Sequence, residues 1–194
     1  KTLGILDTFN LEDPANILPA KETKSGLSQL FHGLNSELVQ KSVQRSNGDL
    51  IFQMNNDLKV FSHKKRNYKV LKAHEDYVKD IALLKDENYL LSGGLDKKVF
   101  LWNLKKGKVA LKMEGHSDRV FAVACISDSY FVSGSANGEL AHWLNHPDTY
   151  YYQMDKLNGA IYDLAANEDF ILVAHENGIS QYSSTRQNKI KDIL

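Results

Sequence analysis

One cysteine, three prolines, no excess of either charge and no long apolar run mark this 194-residue sequence by what it lacks. A lone Cys125 closes no intrachain disulfide, and no Asn opens an N-x-Ser/Thr sequon, so a reducing, intracellular setting, cytoplasmic or nuclear, is expected. With 24 Lys+Arg against 24 Asp+Glu, bulk charge holds the chain to neither nucleic acid nor a membrane surface. No stretch approaches the ~18 apolar residues of a membrane-spanning helix, so no membrane span is expected. Lys1 rather than Met stands first and no signal-type stretch follows, which points to a processed or trimmed chain. What is present is 42% hydrophobic and 25% charged, the balance of a globular protein, and a domain of this length buries about 70% of its unfolded surface.

The sequence repeats itself. Trp102 and Trp143 lie 41 positions apart, Phe61 lies 41 before Trp102, and Tyr182 lies 39 beyond Trp143. His74 and His116 are 42 apart, and Asp96 and Asn137 are 41 apart. Between these anchors apolar residues alternate, as in Val78, Ile81, Leu83 and Val120, Val123, Cys125. Turn clusters separate the runs: Asn47-Gly48-Asp49, Lys85-Asp86-Glu87-Asn88, Ser127-Asp128-Ser129, Asn137-Gly138 and Asn177-Gly178. Short period-two runs punctuated in this way predict antiparallel strands joined by tight hairpins, all-β from about residue 38 onward.

His74, Val78, Ile81, Leu83, Ser92-Gly93-Gly94, Asp96 and Val99–Asn103 together resemble one nearly complete WD repeat. Gly115-His116, Val120, Val123, Ser133-Gly134-Ser135, Asn137-Gly138 and Trp143 resemble a second, with Asn in place of the turn Asp. Residues 157–194 resemble a third unit, with Leu157 in the His slot, and residues 38–72 a degenerate one ending at Phe61. The resemblance to the WD-repeat (WD40-type) family implies β-propeller blades, each a four-stranded antiparallel sheet. The expected units are about 38–72, 73–115, 116–156 and 157–194, preceded by an extension at 1–37. Four units fall short of most WD-repeat propellers, so an incomplete ring is expected.

The resemblance also implies that His74, Ser92, Asp96 and Trp102 form a buried hydrogen-bonded chain, and that His116, Ser133, Asn137 and Trp143 form its counterpart. Physical chemistry gives a parallel reason: a buried indole N–H needs an acceptor, and a hydroxyl on the next strand supplies one. The His-Ser-Asp set reads as structural, since no Gly-x-Ser-x-Gly elbow presents Ser92. No phosphate-binding glycine loop or cysteine metal set is present, and neither a catalytic site nor a cofactor is expected. His142 and His146, four apart on a strand that Pro147 ends, do not suit a metal.

Three surfaces stand out. In WD-repeat proteins partners commonly bind one face of the disc, and the matching positions are Tyr77, Lys79, Leu95, Arg119, Phe121, Ala136 and Tyr162. Six basic residues lie between Lys59 and Lys72 and six between Lys97 and Lys112, with no acid in either window. Their hairpin loops, holding Lys64, Lys65, Arg66 and Lys105, Lys106, Lys108, form a candidate basic patch for RNA or an acidic partner. Tyr150-Tyr151-Tyr152 falls on an outer strand, at a contact between blades or with another protein. In residues 1–37, Leu27, Leu30, Phe31 and Leu34 follow helical spacing after Thr23 or Ser25 as N-cap, with Gly33 or Asn35 ending the helix.

The function that follows is a non-catalytic scaffold for protein–protein contacts within a larger complex. Two alternatives use the same fold: a substrate-receptor subunit of a ubiquitin ligase, and a ribonucleoprotein component touching RNA through the basic loops. Trp102-Asn103-Leu104-Lys105 departs at two positions from the Trp-Asp-x-Arg of cullin-ligase receptors, and no F-box is recognisable in residues 1–37.

Overall fold

A computed structural model describes residues 41–148 and 151–193. The helix expected in residues 1–37, and Tyr150, lie outside the described residues. The rest falls within one compact unit, 39–194. Among the described residues every regular element is a strand.

Among the described residues sixteen strands form four antiparallel sheets in chain order. Sheet 1 holds β1 (Ser42–Gln44), β2 (Leu50–Met54), β3 (Asp57–Ser62) and β4 (Asn67–Lys72). Sheet 2 holds β5 (Val78–Leu83), β6 (Tyr89–Gly94), β7 (Val99–Asn103) and β8 (Lys108–Met113). Sheet 3 holds β9 (Val120–Cys125), β10 (Tyr130–Ser135), β11 (Glu139–Leu144) and β12 (Tyr152–Lys156). Sheet 4 holds β13 (Ile161–Ala166), β14 (Phe170–His175), β15 (Gly178–Ser183) and β16 (Lys189–Asp192). Each is a plain meander, because the turn clusters are too short for any connection but a hairpin to the adjacent strand.

Burial explains the stacking. A meander of alternating side chains leaves two faces to cover, and here successive sheets cover one another through their first strands, β1 against β5, β5 against β9 and β9 against β13. Three cores result. Ile51, Leu58 and Leu71 of sheet 1 meet Ile81, Leu90 and Trp102 of sheet 2. Leu91, Val99 and Leu101 of sheet 2 meet Val123, Phe131 and Trp143 of sheet 3. Ala122, Val132 and Leu140 of sheet 3 meet Leu164, Ile171 and Tyr182 of sheet 4. Trp102, Trp143 and Tyr182 thus each seal their own sheet against the one before it, which is why a large aromatic returns in each of these sheets.

The row is not closed into a ring. Leu91 and Val132, the third residues of β6 and β10, are fully buried by the following sheet, but the equivalent Leu172 of β14 is 39% exposed and Phe170 is 45% exposed. The far face of sheet 4 therefore presents an apolar surface, where Ala165, Phe170, Leu172 and Gln181 line a shallow recess.

Candidate functional site

Strand register sets up the buried polar chains. Trp102 lies opposite Leu90, and two residues further along β6 is Ser92; Trp143 lies opposite Phe131, with Ser133 two residues on. The same slots hold Phe61 with Phe52 in sheet 1, and Tyr182 with Val173 in sheet 4. Donor and acceptor therefore change together. An indole N–H is matched by a serine, and a phenyl ring by another phenyl. Tyr182, facing a valine, sends its hydroxyl instead to Asp155 of sheet 3, 2.6 Å away. A buried polar group without a partner costs about 1–3 kcal/mol, and at this aromatic slot that penalty is avoided in all four sheets.

In sheet 2, Trp102 Nε1 donates to Ser92 Oγ at 2.8 Å, Ser92 Oγ lies 2.8 Å from His74 Nε2, and His74 Nδ1 lies 2.9 Å from Asp96. Asp96 also accepts the backbone N–H groups of Glu75 and Lys98, which ties the segment before β5 to the β6–β7 turn. Ser92 is fully buried (0% exposed) under the indole, a position suited to packing and not to meeting a substrate.

Sheet 3 builds the same chain with a different acid. Trp143 Nε1 donates to Ser133 Oγ at 2.7 Å and Ser133 Oγ lies 2.6 Å from His116 Nε2. Asn137, expected to bond His116, does not reach it. Glu139 does, at 3.3 Å from Nδ1, and it also accepts from the Ser117 hydroxyl and backbone N–H. The reason is reach: the Asn137 amide turns outward to Ser117 and Glu139 while its oxygen accepts from Ser135, so the longer Glu side chain fills the gap from the adjacent strand.

Protonation follows from the partners. Trp143 can only donate, so Ser133 Oγ accepts from it and gives its own hydrogen to His116 Nε2, leaving the ring proton on Nδ1 for Glu139. Burial keeps His116 below its ordinary value, against the opposing pull of Glu139. Burial alone would raise Glu139, but hydrogen bonds from Ser117, His116 and Asn137 outweigh it and bring the carboxyl from 4.5 to about 2. Asp96 is likewise lowered: burial opposes, and the His74 interactions and backbone N–H groups prevail. A carboxylate depressed in the folded state adds stability that is complete above about pH 4.5 and disappears as pH falls toward about 2. Thermal melts across that window should therefore show Glu139→Gln losing less Tm than the wild type as pH drops; parallel curves would contradict this account.

The partner-face residues occupy equivalent places. Leu95 N–H donates to Tyr77 C=O and Ala136 N–H to Arg119 C=O, so each pair closes the same end of its sheet. Lys79, Phe121 and Tyr162 are the second residues of β5, β9 and β13. The structure brings three of the seven together: Lys79 Nζ lies 6.0 Å and the Arg119 guanidinium 5.5 Å from the Phe121 ring centroid. Tyr77 and Tyr162 stand out, 51% and 57% exposed, while Leu95 and Ala136 are half-buried.

Other singled-out residues resolve plainly. Tyr151 packs edge-on against His116 and Trp143, each 5.4 Å away, whereas Tyr152 is 44% exposed. His142 is buried beneath Tyr130 and His146 is exposed, and no cluster of three metal-ligating groups occurs among the described residues. Burial, with Asp128 and Asp80 adding to it, pushes the Cys125 thiol up to about 12, so it stays protonated.

One contact was invisible to repeat arithmetic. Asp80, 4% exposed on β5, accepts from Val123 N–H of sheet 3 at 2.8 Å and pairs with Lys41 Nζ at 2.6 Å, so one carboxylate joins the segment before sheet 1 to sheets 2 and 3. Burial raises its pKa against Lys41 and the backbone donors. An acid between the inward-facing Val78 and Ile81 was its signal in the sequence.

The family model described as WD domain, G-beta repeat, matches residues 65–103 and 107–143, the stretches that carry both tryptophan chains. The chain carries WD repeats. It is 31% identical over 78 residues to the general transcriptional corepressor TUP1 of Saccharomyces cerevisiae, a match covering 37% of this chain and 11% of that protein. Similarity to the transcriptional repressor rco-1 of Neurospora crassa is also 31%, over 84 residues, or 40% of this chain and 14% of the relative. The WD-repeat chain thus spans only a small part of the length of either relative.

Proposed function

We propose that the protein is a non-catalytic WD-repeat scaffold, a subunit of a multiprotein complex that regulates transcription in the nucleus. Residues 1–37 act as an extension ahead of the repeat units at about 38–72, 73–115, 116–156 and 157–194. The observation that carries this reading is the end of sheets 2–4 where Tyr77, Arg119 and Tyr162 are exposed around the Lys79–Phe121–Arg119 cluster. Exposed Tyr and Arg at the ends of rigid strands are the residue types that anchor protein interfaces, since each adds large contact area. Similarity to two transcriptional repressors supports the nuclear, regulatory setting.

The test is quantitative affinity purification of the full protein from its own cells. Combining Tyr77→Ala, Arg119→Ala and Tyr162→Ala should lower recovery of stably associated proteins about tenfold or more while the melting temperature stays within a few degrees, because truncating interface anchors commonly costs more than 1 kcal/mol each. Unchanged recovery would refute this binding face.

A further inference from the structure

The two acid-free basic windows meet in space. The β3–β4 turn carries Lys64, Lys65 and Arg66, the β7–β8 turn carries Lys105 and Lys106, and Lys108 opens β8. Lys69 of β4 bridges them, its Nζ donating to Lys106 C=O at 3.4 Å. All seven cations are exposed, and none joins an ion pair among the described residues. Lys72, Lys98 and Lys112 of the same windows, in contrast, pair with Asp57, Glu75 and Glu114.

The fold does not require this charge. The β11–β12 connection contains Asp148 and no Lys or Arg, and the β15–β16 turn contains Arg186 and is followed by Lys189, which pairs with Asp192, although both perform the same task in sheets of the same design. Seven like charges on two contacting hairpins raise the local potential even in a chain of zero net charge, and that arrangement is stabilised when an anionic partner arrives.

We propose that this paired-hairpin surface docks an acidic polypeptide segment, one rich in Asp and Glu, at a site separate from the partner face described above. The chemistry favours a polypeptide over a nucleic acid. Six of the seven groups are lysines, which carry charge but no plane, and only Arg66 offers a guanidinium on which a base could stack. Tyr68, an exposed aromatic beside the patch, has Lys59 Nζ 5.1 Å above its ring, which occupies one face against a stacking base.

Fluorescence anisotropy on the full chain tests it, with a labelled Asp/Glu peptide and, in parallel, a single-stranded RNA of equal charge. At low salt the peptide should bind and weaken steeply as salt rises. Combining Lys64→Glu, Lys65→Glu, Lys105→Glu and Lys106→Glu should reduce its affinity about tenfold or more, and the milder Lys→Gln set should reduce it by a smaller factor if the reversal impairs folding. The control pair Lys189→Glu and Lys191→Glu on β16 should change affinity less than about twofold. Absence of peptide binding, equal loss in the control, or tighter binding of the RNA would each overturn the proposal.

Discussion

Replacing Ser92 with alanine should destabilise the protein by about 2–4 kcal/mol, although only one oxygen atom is removed, because the Trp102 N–H and His74 Nε2 lose their buried partner together. For a chain of this size that corresponds to a fall in Tm of roughly 5–15 °C. Sheet 1 shows the alternative solution, Phe61 beside Phe52, with neither donor nor acceptor. Trp102→Phe removes the orphaned donor, so the double variant Ser92→Ala/Trp102→Phe should cost at least about 1 kcal/mol less than the two single changes combined. Equilibrium denaturation of the four proteins measures this coupling directly. Additivity within about 0.5 kcal/mol would mean that the serine does not act through the indole.

Gly138→Ala should be comparably severe, for a different reason. Gly138 adopts φ 86° in the β10–β11 turn, and a Cβ there would lie 2.2 Å from Leu157 C=O and 2.6 Å from Gly159 C=O. Those are backbone atoms of the link into sheet 4, held by the Leu157 N–H to Gly138 C=O bond of 2.9 Å, so neither side can yield. The expected loss is about 2–4 kcal/mol, combining left-handed strain with displaced backbone. Gly107 makes the control. Its φ is 62°, and its added Cβ would meet the Lys69 ammonium, the far end of a flexible chain in solvent. Gly107→Ala should cost only about 1–2 kcal/mol, the strain alone. Equal losses at the two sites, read by the same denaturation, would show that the contact with the sheet 4 link is unimportant.

Much of the architecture was legible from the chain because one property repeats along it. Phe61, Trp102, Trp143 and Tyr182 mark one aromatic per sheet, and the alternating runs between them mark the strands. The Trp–Ser pairing followed from a donor needing an acceptor on the next strand. The choice of Glu139 over Asn137 did not follow, since both lie within two residues of the same turn and only side-chain reach separates them. Asp155 with Tyr182, and Asp80 with Val123, were illegible for another reason: each contact crosses from one sheet to the next.

The sequence by itself determined that the chain is built of hairpin-linked strands in WD-type repeats and which aromatic anchors each one, because these depend on spacing within a unit. Only the tertiary structure decided which carboxylate serves the second histidine, that Asp80 ties neighbouring sheets, that two distant basic turns become one surface and that the far face of sheet 4 stays open. Those depend on how units about 40 residues apart are stacked, and stacking is set by the burial of whole faces, a quantity that no local pattern records.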